Sequence, residues 1–349
     1  MKKIVCFGEI MMRLNPQNKE RFIQADNFAV SYSGAEANVC ASLANFYDSE
    51  TAGLESFLES KKIEFKNEQF QICFVSKLPQ NEIGKSALKT LRAQNINSDF
   101  IEFGGNRLGI YFLEEGYSQR PSKVIYDRQN SSFAESSISD YDWDKIFEDC
   151  TWFHFSGITP ALSDNLAEIC KIACKKAKEK NITVSCDLNY RNKLWSTKKA
   201  GEVMSQLFEF VDICIANEED VQKVFGFEGT YDQLSKKIIE KFSCKLVAFT
   251  LRKSINANQN NWSSVLFSQS EKIESSKYEI QVLDRVGAGD SFSGALIYAL
   301  QNGFSKSDAL EFATAASCLK HSIIGDFNQV NLNEVLSLMK GNANGRIQR

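Results

Sequence analysis

Histidine is nearly missing from this chain of 349 residues: only His154 and His321 occur, too few for a histidine-built zinc site. The ten cysteines contain no C-x-x-C pair, and 43% hydrophobic content over this length can bury a large core without disulfide staples. Reduced thiols in a cytoplasm are the expectation. Cys170 and Cys174, four apart on a helical stretch, read as small core residues. No apolar run approaches a membrane span, and the first, Met1 to Phe7, is too short for a signal peptide and reads as a strand. No Lys and Arg cluster stands alone on a predicted helix, and the net charge is −3, so neither nucleic acid nor membrane is an expected partner. Chemistry must lean on carboxylates, arginines and backbone.

What the chain does have is alternation. Strand-like runs fall at Lys3 to Phe7, Ile72 to Ser76, Thr151 to Phe155, Thr183 to Asp187, Val211 to Ala216 and Leu246 to Thr250. Spacing near 3.6 fills Glu82 to Gln94, Ser163 to Lys180, Thr197 to Phe208 and Tyr231 to Phe242. This pattern predicts an α/β fold with a mainly parallel sheet covered by helices on both faces, and ligands outside the carboxyl ends of its strands. Residues 11–33 and 104–128 carry period-two patterns instead, predicting antiparallel strands that stand off the main sheet as a small β lid. Its exposed face is a natural dimer contact. Residues 48–69 read as a charged surface insertion with a short helix around Leu54 to Leu58.

The most informative stretch is Leu283-Asp284-Arg285-Val286-Gly287-Ala288-Gly289-Asp290-Ser291-Phe292. Strand character over Glu279 to Leu283 runs into two glycines framing an alanine, and an amphipathic run, Ser291 to Leu300, follows. At such a helix start the first-turn N–H groups and the helix dipole form an anion site. Asp290 either caps this helix or stands beside the anion site as a base for an attacking hydroxyl.

Two further clusters point at a ligand. Small residues lead into a helix over Ser33 to Leu43, where Glu36 and Asn38 offer acceptors and an amide; tight helix packing on the sheet is the alternative reading. Asp187-Leu188-Asn189-Tyr190-Arg191 forms a polar cluster at a strand's carboxyl end. Arg191, with Arg128 and Arg107 from the lid, supplies planar donors suited to a carboxylate or phosphate.

Taken in order, these motifs resemble the PfkB family of carbohydrate kinases, and within it the 2-dehydro-3-deoxygluconate kinases. The likeness runs from Lys3 to the tail Gly345–Arg349, apart from 48–69. Asp284 to Phe292 carries the family resemblance. Gly34 to Asn38, Arg107 to Glu114, Asp187 to Trp195 and Thr250-Leu251-Arg252 carry the narrower one. The resemblance implies a single domain with a three-layer α/β/α ribokinase-like fold. It implies phosphorylation, with ATP and Mg2+, of the terminal (6-) hydroxyl of 2-dehydro-3-deoxy-D-gluconate or a close keto-deoxy sugar acid. A neutral ketose such as fructose is the alternative substrate, and a non-catalytic sugar or nucleotide sensor is a further alternative.

By the same resemblance, Asp290 would be the catalytic base and Gly287, Ala288 and Gly289 the anion hole. Gly34, Ala35, Asn38, Tyr111, Arg128, Asn189 and Arg191 would hold the sugar acid. Asn217, Asp220, Thr250, Arg252 and Asn328, with Gly287 and Gly289, would meet the nucleotide, and Asp220 and Glu218 the magnesium, which phosphates and water would mostly hold. A homodimer would form through the lid strands. The chain departs from the family pattern at Ser33, where relatives usually have a first glycine, at Asp220, which replaces a glutamate, and at Leu113, where some members place an arginine. A positive φ required at Ser33 would strain the loop.

Overall fold

The computed structural model describes residues 1–49, 54, 55, 57, 59 and 69–341. Its strands are β1 (Lys2–Phe7), β2 (Met11–Pro16), β3 (Phe28–Ser33), β4 (Phe70–Leu78), β5 (Ile101–Phe103), β6 (Ile110–Glu114), β7 (Lys123–Asp127), β8 (Cys150–Ser156), β9 (Thr183–Asp187), β10 (Ile213–Ala216), β11 (Leu246–Asn256), β12 (Gln259–Phe267), β13 (Lys272–Glu274) and β14 (Tyr278–Gln281). The helices used below are α1 (Ala35–Asp48), α2 (Glu82–Ala93), α3 (Trp143–Ile146), α4 (Asp164–Glu179), α5 (Thr197–Phe208), α6 (Glu218–Phe225), α7 (Tyr231–Phe242), α8 (Ala288–Gln301), α9 (Lys306–Lys320) and α10 (Leu332–Met339).

The main sheet runs β13-β12-β11-β10-β9-β8-β1-β4-β5, parallel from β11 to β5 and antiparallel at the β12 and β13 edge. Both faces of β1 are buried. Ile4 and Cys6 pack with α1, α8, α9 and α10, while Val5 and Phe7 pack with α3 to α7. Double-sided burial is why these strands read as continuous apolar runs, and it gives the three layers. From β1 the chain order leaves in both directions, to β4 on one side and β8 on the other. Such a reversal opens a crevice at the strands' carboxyl ends.

A second sheet, β3-β2-β6-β7, occupies the ranges expected for the lid. It is mixed rather than antiparallel, because β2 and β6 pair in parallel. Period-two patterning reports which face is buried and is silent on strand direction. Its inner face carries Met11, Tyr111 and Leu113. A second correction concerns the stretch before the glycines: β14 pairs with β12 as an edge strand and ends at Gln281, six residues short of Gly287.

Most of 48–69 lies outside the described residues, as does the tail Gly345–Arg349. Within it Leu54 and Phe57 are helical and buried, with the Phe57 ring against Phe304, while Glu55 and Glu59 are exposed, so the described part turns an apolar face to the core and a charged face outward.

Candidate active site

The crevice is a cleft of about 1000 Å³ between the carboxyl ends of the parallel strands and the inner face of the small sheet. Its floor is the start of α8. Gly287 caps that helix at φ 82°, and a Cβ there would sit 2.0 Å from the Asp326 carbonyl oxygen, so both conformation and space demand glycine. A Cβ on Gly289 would meet nothing within 4 Å. Ala288 N–H makes a long 3.4 Å bond to Arg285, and Ser291 N–H is taken by Gly287, but the amides of Gly289 and Asp290 have no backbone acceptor among the described residues. Two free donors at a helix N-terminus, with open space above them, fit a phosphoryl group.

Asp290 stands on the first turn of α8 and lines the cleft. Protein surrounds its carboxylate on every side but the cleft, and this loss of hydration pushes it up to about 7, against the opposing Asn38 hydrogen bond and with a further push from Glu36 and Asp326. The Asn38 amide donates to Asp290 Oδ2 at 2.7 Å. Asn38 reaches it because α1 begins with small residues: a Cβ on Gly34 would lie 1.9 Å from the Glu9 carbonyl oxygen. Gly34 itself is extended, at φ −177°, so space alone selects glycine there.

Ser33 is free of the strain expected at that position: its φ is not positive. Its hydroxyl donates to Asp326 at 2.7 Å. Glu36 lines the cleft, yet its Oε1 is engaged with the protein, accepting from Ser156 N–H at 2.9 Å and the Thr159 hydroxyl at 3.0 Å, and burial raises its pKa. For this residue the packing reading holds.

The three arginines do not converge. Arg107 does not line the cleft; it pairs with the Asp127 carboxylate at 2.8 Å and donates to the Asp127 carbonyl, fastening the end of β7. Arg128 lines the cleft with its guanidinium tied to Glu9, whose second oxygen accepts from Ser131. The Arg191 guanidinium, which also lines the cleft, alone among them makes no hydrogen bond or ion pair with a described residue. Leu113, at the position where some relatives are expected to carry an arginine, is buried against Met11 and Tyr111 and does not line the cleft. Asn189 lines the cleft in a positive-φ conformation, at 33°.

Of the residues expected to meet the nucleotide, Asn217 caps α6: its side-chain carbonyl accepts Asp220 N–H and its amide donates to Asp220 Oδ2, both at 2.8 Å. Asp220 is pushed up to about 6 by burial, with Arg191 and the Tyr190 N–H acting against the shift. Burial and the neighbouring Glu218 carboxylate push the Tyr231 hydroxyl up to about 12. Asp220, Glu218, Thr250 and Arg252 all line the cleft. Asn328 does not. It is 1% exposed and its carbonyl accepts Val330 N–H at 3.0 Å, a turn-forming role in place of the expected nucleotide contact. Among the described residues no group of three or more His, Cys, Asp or Glu forms a metal cage.

Two carboxylates escaped the sequence reading. Asp284 and Asp326 flank the anion loop and both bind Arg13, Asp284 at 2.9 Å. The signal was available: Arg13 shares the inward register of β2 with Met11, where a charge requires buried partners.

The profile of the pfkB family carbohydrate kinases matches residues 1–326. A 2-dehydro-3-deoxygalactonokinase of Haloferax volcanii is 30% identical over 339 residues, covering 97% of each chain. A 2-dehydro-3-deoxygluconokinase of Bacillus subtilis is 23% identical, over 95% of this chain and 94% of its own. The crystal structure of a 2-dehydro-3-deoxygluconokinase from Thermotoga maritima superposes with a TM-score of 0.89 at 46% identity, covering 97% of this chain and 98% of that one. These likenesses place the chain in the pfkB family of carbohydrate kinases, to which it belongs.

Proposed function

We propose that this kinase transfers the γ-phosphoryl group of ATP to the terminal hydroxyl of a 2-keto-3-deoxy sugar acid, with 2-dehydro-3-deoxy-D-gluconate the first candidate. The observation that carries the reading is the Asp290 carboxylate beside the unpaired Gly289 and Asp290 amides, in the same cleft as the unpaired Arg191 guanidinium. Arg191 would hold the substrate carboxylate, and Gly34, Ala35, Asn38, Tyr111 and Asn189 its hydroxyl and keto groups. With one oxygen fixed by Asn38, the other oxygen of Asp290 takes the hydroxyl proton. The freed oxygen forms a bond to the γ-phosphorus as the bond to the ADP oxygen breaks, and the α8 amides hold the charge on the transferred group.

The cleft also suits the nucleotide and its metal. Gly289 leaves room for phosphate over the amides, Arg252 and Thr250 lie beyond, and Asp220 and Glu218 present carboxylates at the start of α6. Magnesium, held mostly by phosphate oxygens and water, would neutralise charge on the phosphates. Ten free thiols, eight of them buried, suit a reducing cytoplasm.

A neutral ketose is the second reading, favoured by the pairing of Arg128 with Glu9 and of Arg107 with Asp127, which leaves one of the three arginines expected to hold a carboxylate. A coupled assay of ADP release across keto-deoxy acids, ketoses and nucleosides separates the two. Turnover of 2-dehydro-3-deoxy acids well above fructose supports the first; preference for fructose overturns it.

We also read the outer face of the small sheet as a homodimer contact. Val30, Leu14, Phe112 and Ile125 are register partners on β3, β2, β6 and β7, forming one apolar row across four strands, with Val30 57% and Ile125 43% exposed.

A further inference from the structure

A buried lysine that the chemistry above does not use lies beside the anion loop. Lys320 ends α9 and is 0% exposed. It does not line the cleft and makes no ion pair with a described residue; its one hydrogen bond runs from Nζ to the Ile323 carbonyl at 3.2 Å. Lysines that only complement a helix C-terminus stay in water, as Lys176 and Lys178 do at the end of α4, with side chains 36% and 39% exposed. Taking an ammonium wholly out of water is costly and calls for anions nearby.

The helix puts Lys320 where such anions are. Ala313, Ser317 and Lys320 follow one another at spacings of four and three on a fully buried face of α9, the helix packed on α8. The Ser317 hydroxyl donates to the Ala288 carbonyl at 2.7 Å, and the His321 carbonyl accepts Leu283 N–H at 2.8 Å. The last turn of α9 therefore holds segment 283–288 at both ends, and Lys320 falls between the two contacts in sequence.

The anions are Asp284 and Asp326. Asp284 closes the loop by accepting Val286 N–H at 3.0 Å and Gly325 N–H at 3.1 Å. Asp326, whose carbonyl backs Gly287, accepts from the Ser33 and Tyr111 hydroxyls. Arg13 binds both carboxylates. One guanidinium against two buried carboxylates leaves one negative charge in excess beside a helix start that is to receive phosphate, and it would repel the ligand that the α8 amides attract. Glu115, 3.5 Å from Arg13, adds to the deficit. Burial lowers the Lys320 pKa, while Asp284, Asp326 and Asp290 act against that fall and Arg13 adds to it, so these are the groups its charge reaches.

We infer that Lys320 is a positioning residue, a tethered counter-charge that neutralises the Asp284 and Asp326 pair beside the anion loop and so lets the α8 start bind the phosphates of the nucleotide. The inference deepens the kinase reading and rests on it. Lys320 touches no ligand: it acts through Asp284, which fixes Val286 N–H, and through its field across the loop.

The test measures binding of the non-hydrolysable imido analogue of ATP, with magnesium and without sugar, by calorimetry in tetramethylammonium chloride. Lys320→Met keeps the length of the stem and drops the charge. It is expected to melt no lower than the intact chain yet to bind the analogue roughly tenfold or more weakly. Lys320→Ala opens a cavity beside the carboxylates. Propylammonium, the piece that truncation removes, is expected to tighten the analogue on Lys320→Ala by about 5-fold or more at equal ionic strength, whereas 1-propanol, of the same shape without charge, changes it by less than about 2-fold. A packing role predicts otherwise: Lys320→Met binds as the intact chain does, or 1-propanol rescues Lys320→Ala as well as propylammonium does. Either result in a folded variant overturns the inference. If Lys320→Met does not fold, Lys320→Ala decides. If that variant is unfolded in tetramethylammonium, recovery of a cooperative melt in propylammonium and not in 1-propanol sustains the inference, and any other outcome overturns it. Should the intact chain phosphorylate no sugar of the panel, the substrate reading fails by itself, because this comparison contains no sugar.

Discussion

Asn38 on α1 donates its side-chain amide to Asp290 on α8 at 2.7 Å, joining the helix that starts beside the small sheet to the helix that starts at the anion loop. The bond favours the ionised carboxylate, whereas burial favours the neutral one and wins, leaving Asp290 at about 7. A base must be ionised to accept a proton, so kcat/KM is expected to rise with pH through about 7 and then level. Asn38→Ala removes the opposing bond and moves this acid limb to higher pH. Profiles of kcat/KM for both proteins check it; a limb at the same pH in each would show that Asn38 does not tune the base.

The same shift has a stability consequence. Asp290 ionises near 3.9 in an unfolded chain and at about 7 in the folded one. Between these values the folded state holds a proton that the unfolded state has lost, so this group's contribution declines as pH rises from about 4 to 7. Asp290→Asn is therefore expected to unfold at a higher temperature than the intact protein at pH 8, with the gap closing toward pH 4, while turnover falls by orders of magnitude. Thermal melts at both pH values and an assay of the variant measure the two effects. A lower melting temperature for the variant at pH 8 would contradict the linkage.

The two glycines of the anion loop should respond differently to substitution. At Gly287 any side chain meets both a positive φ and the Asp326 carbonyl, so Gly287→Ala is expected to cost roughly 1–3 kcal/mol of backbone strain and to lower melting temperature and activity together. Gly289 faces open cleft. Gly289→Val should leave the melting temperature within a few degrees but raise KM for ATP at least about tenfold, by filling the place of a phosphate. Kinetics and melts on the pair separate the roles; equal losses of stability in both would refute the assignment of Gly289 to the ligand.

The main sheet was legible because its strands are buried on both faces and its helices on one. Thr183–Asp187, Thr197–Phe208 and Tyr231–Phe242 match the periodicity to the residue. The β2–β6 pairing was not, since alternation marks a face and leaves direction to tertiary contacts. In the site, the glycine-framed turn announced itself by composition. The arginines misled for the opposite reason: a guanidinium looks the same in sequence whether it faces Glu9, as Arg128 does, or an open cleft, as Arg191 does. Asp326 was hidden because nothing near it in the chain shows that three distant strands end on it.

Arg191 allows the substrate class to be tested by subtraction. Its guanidinium is exposed to the cleft and reaches the electrostatic field of Asp220 and Asp290, yet it pairs with no described residue. Arg191→Met should raise KM for a keto-deoxy sugar acid by roughly tenfold or more, the loss of one charge-assisted pair, and change that for a neutral ketose by about 2-fold or less. Kinetics with both substrates check the contrast. An equal rise for both would place Arg191 at the phosphates instead.

The apolar row of the small sheet yields a prediction that does not touch the chemistry. Leu14 and Phe112 lie half-buried in its middle, with the Phe112 ring edge-on to Phe22 and Phe28, and Val30 and Ile125 at its ends are the most exposed. A stable dimer would bury about 800 Å² on each partner, an area a four-stranded face can supply. Charges at the two ends oppose their own copies across a twofold contact without disturbing the ring cluster. Val30→Glu with Ile125→Glu is therefore expected to halve the mass measured by sedimentation while leaving each subunit's melting cooperative. If the intact chain already sediments as a single subunit, or the double variant as a dimer, the outer face of this sheet is not where copies meet.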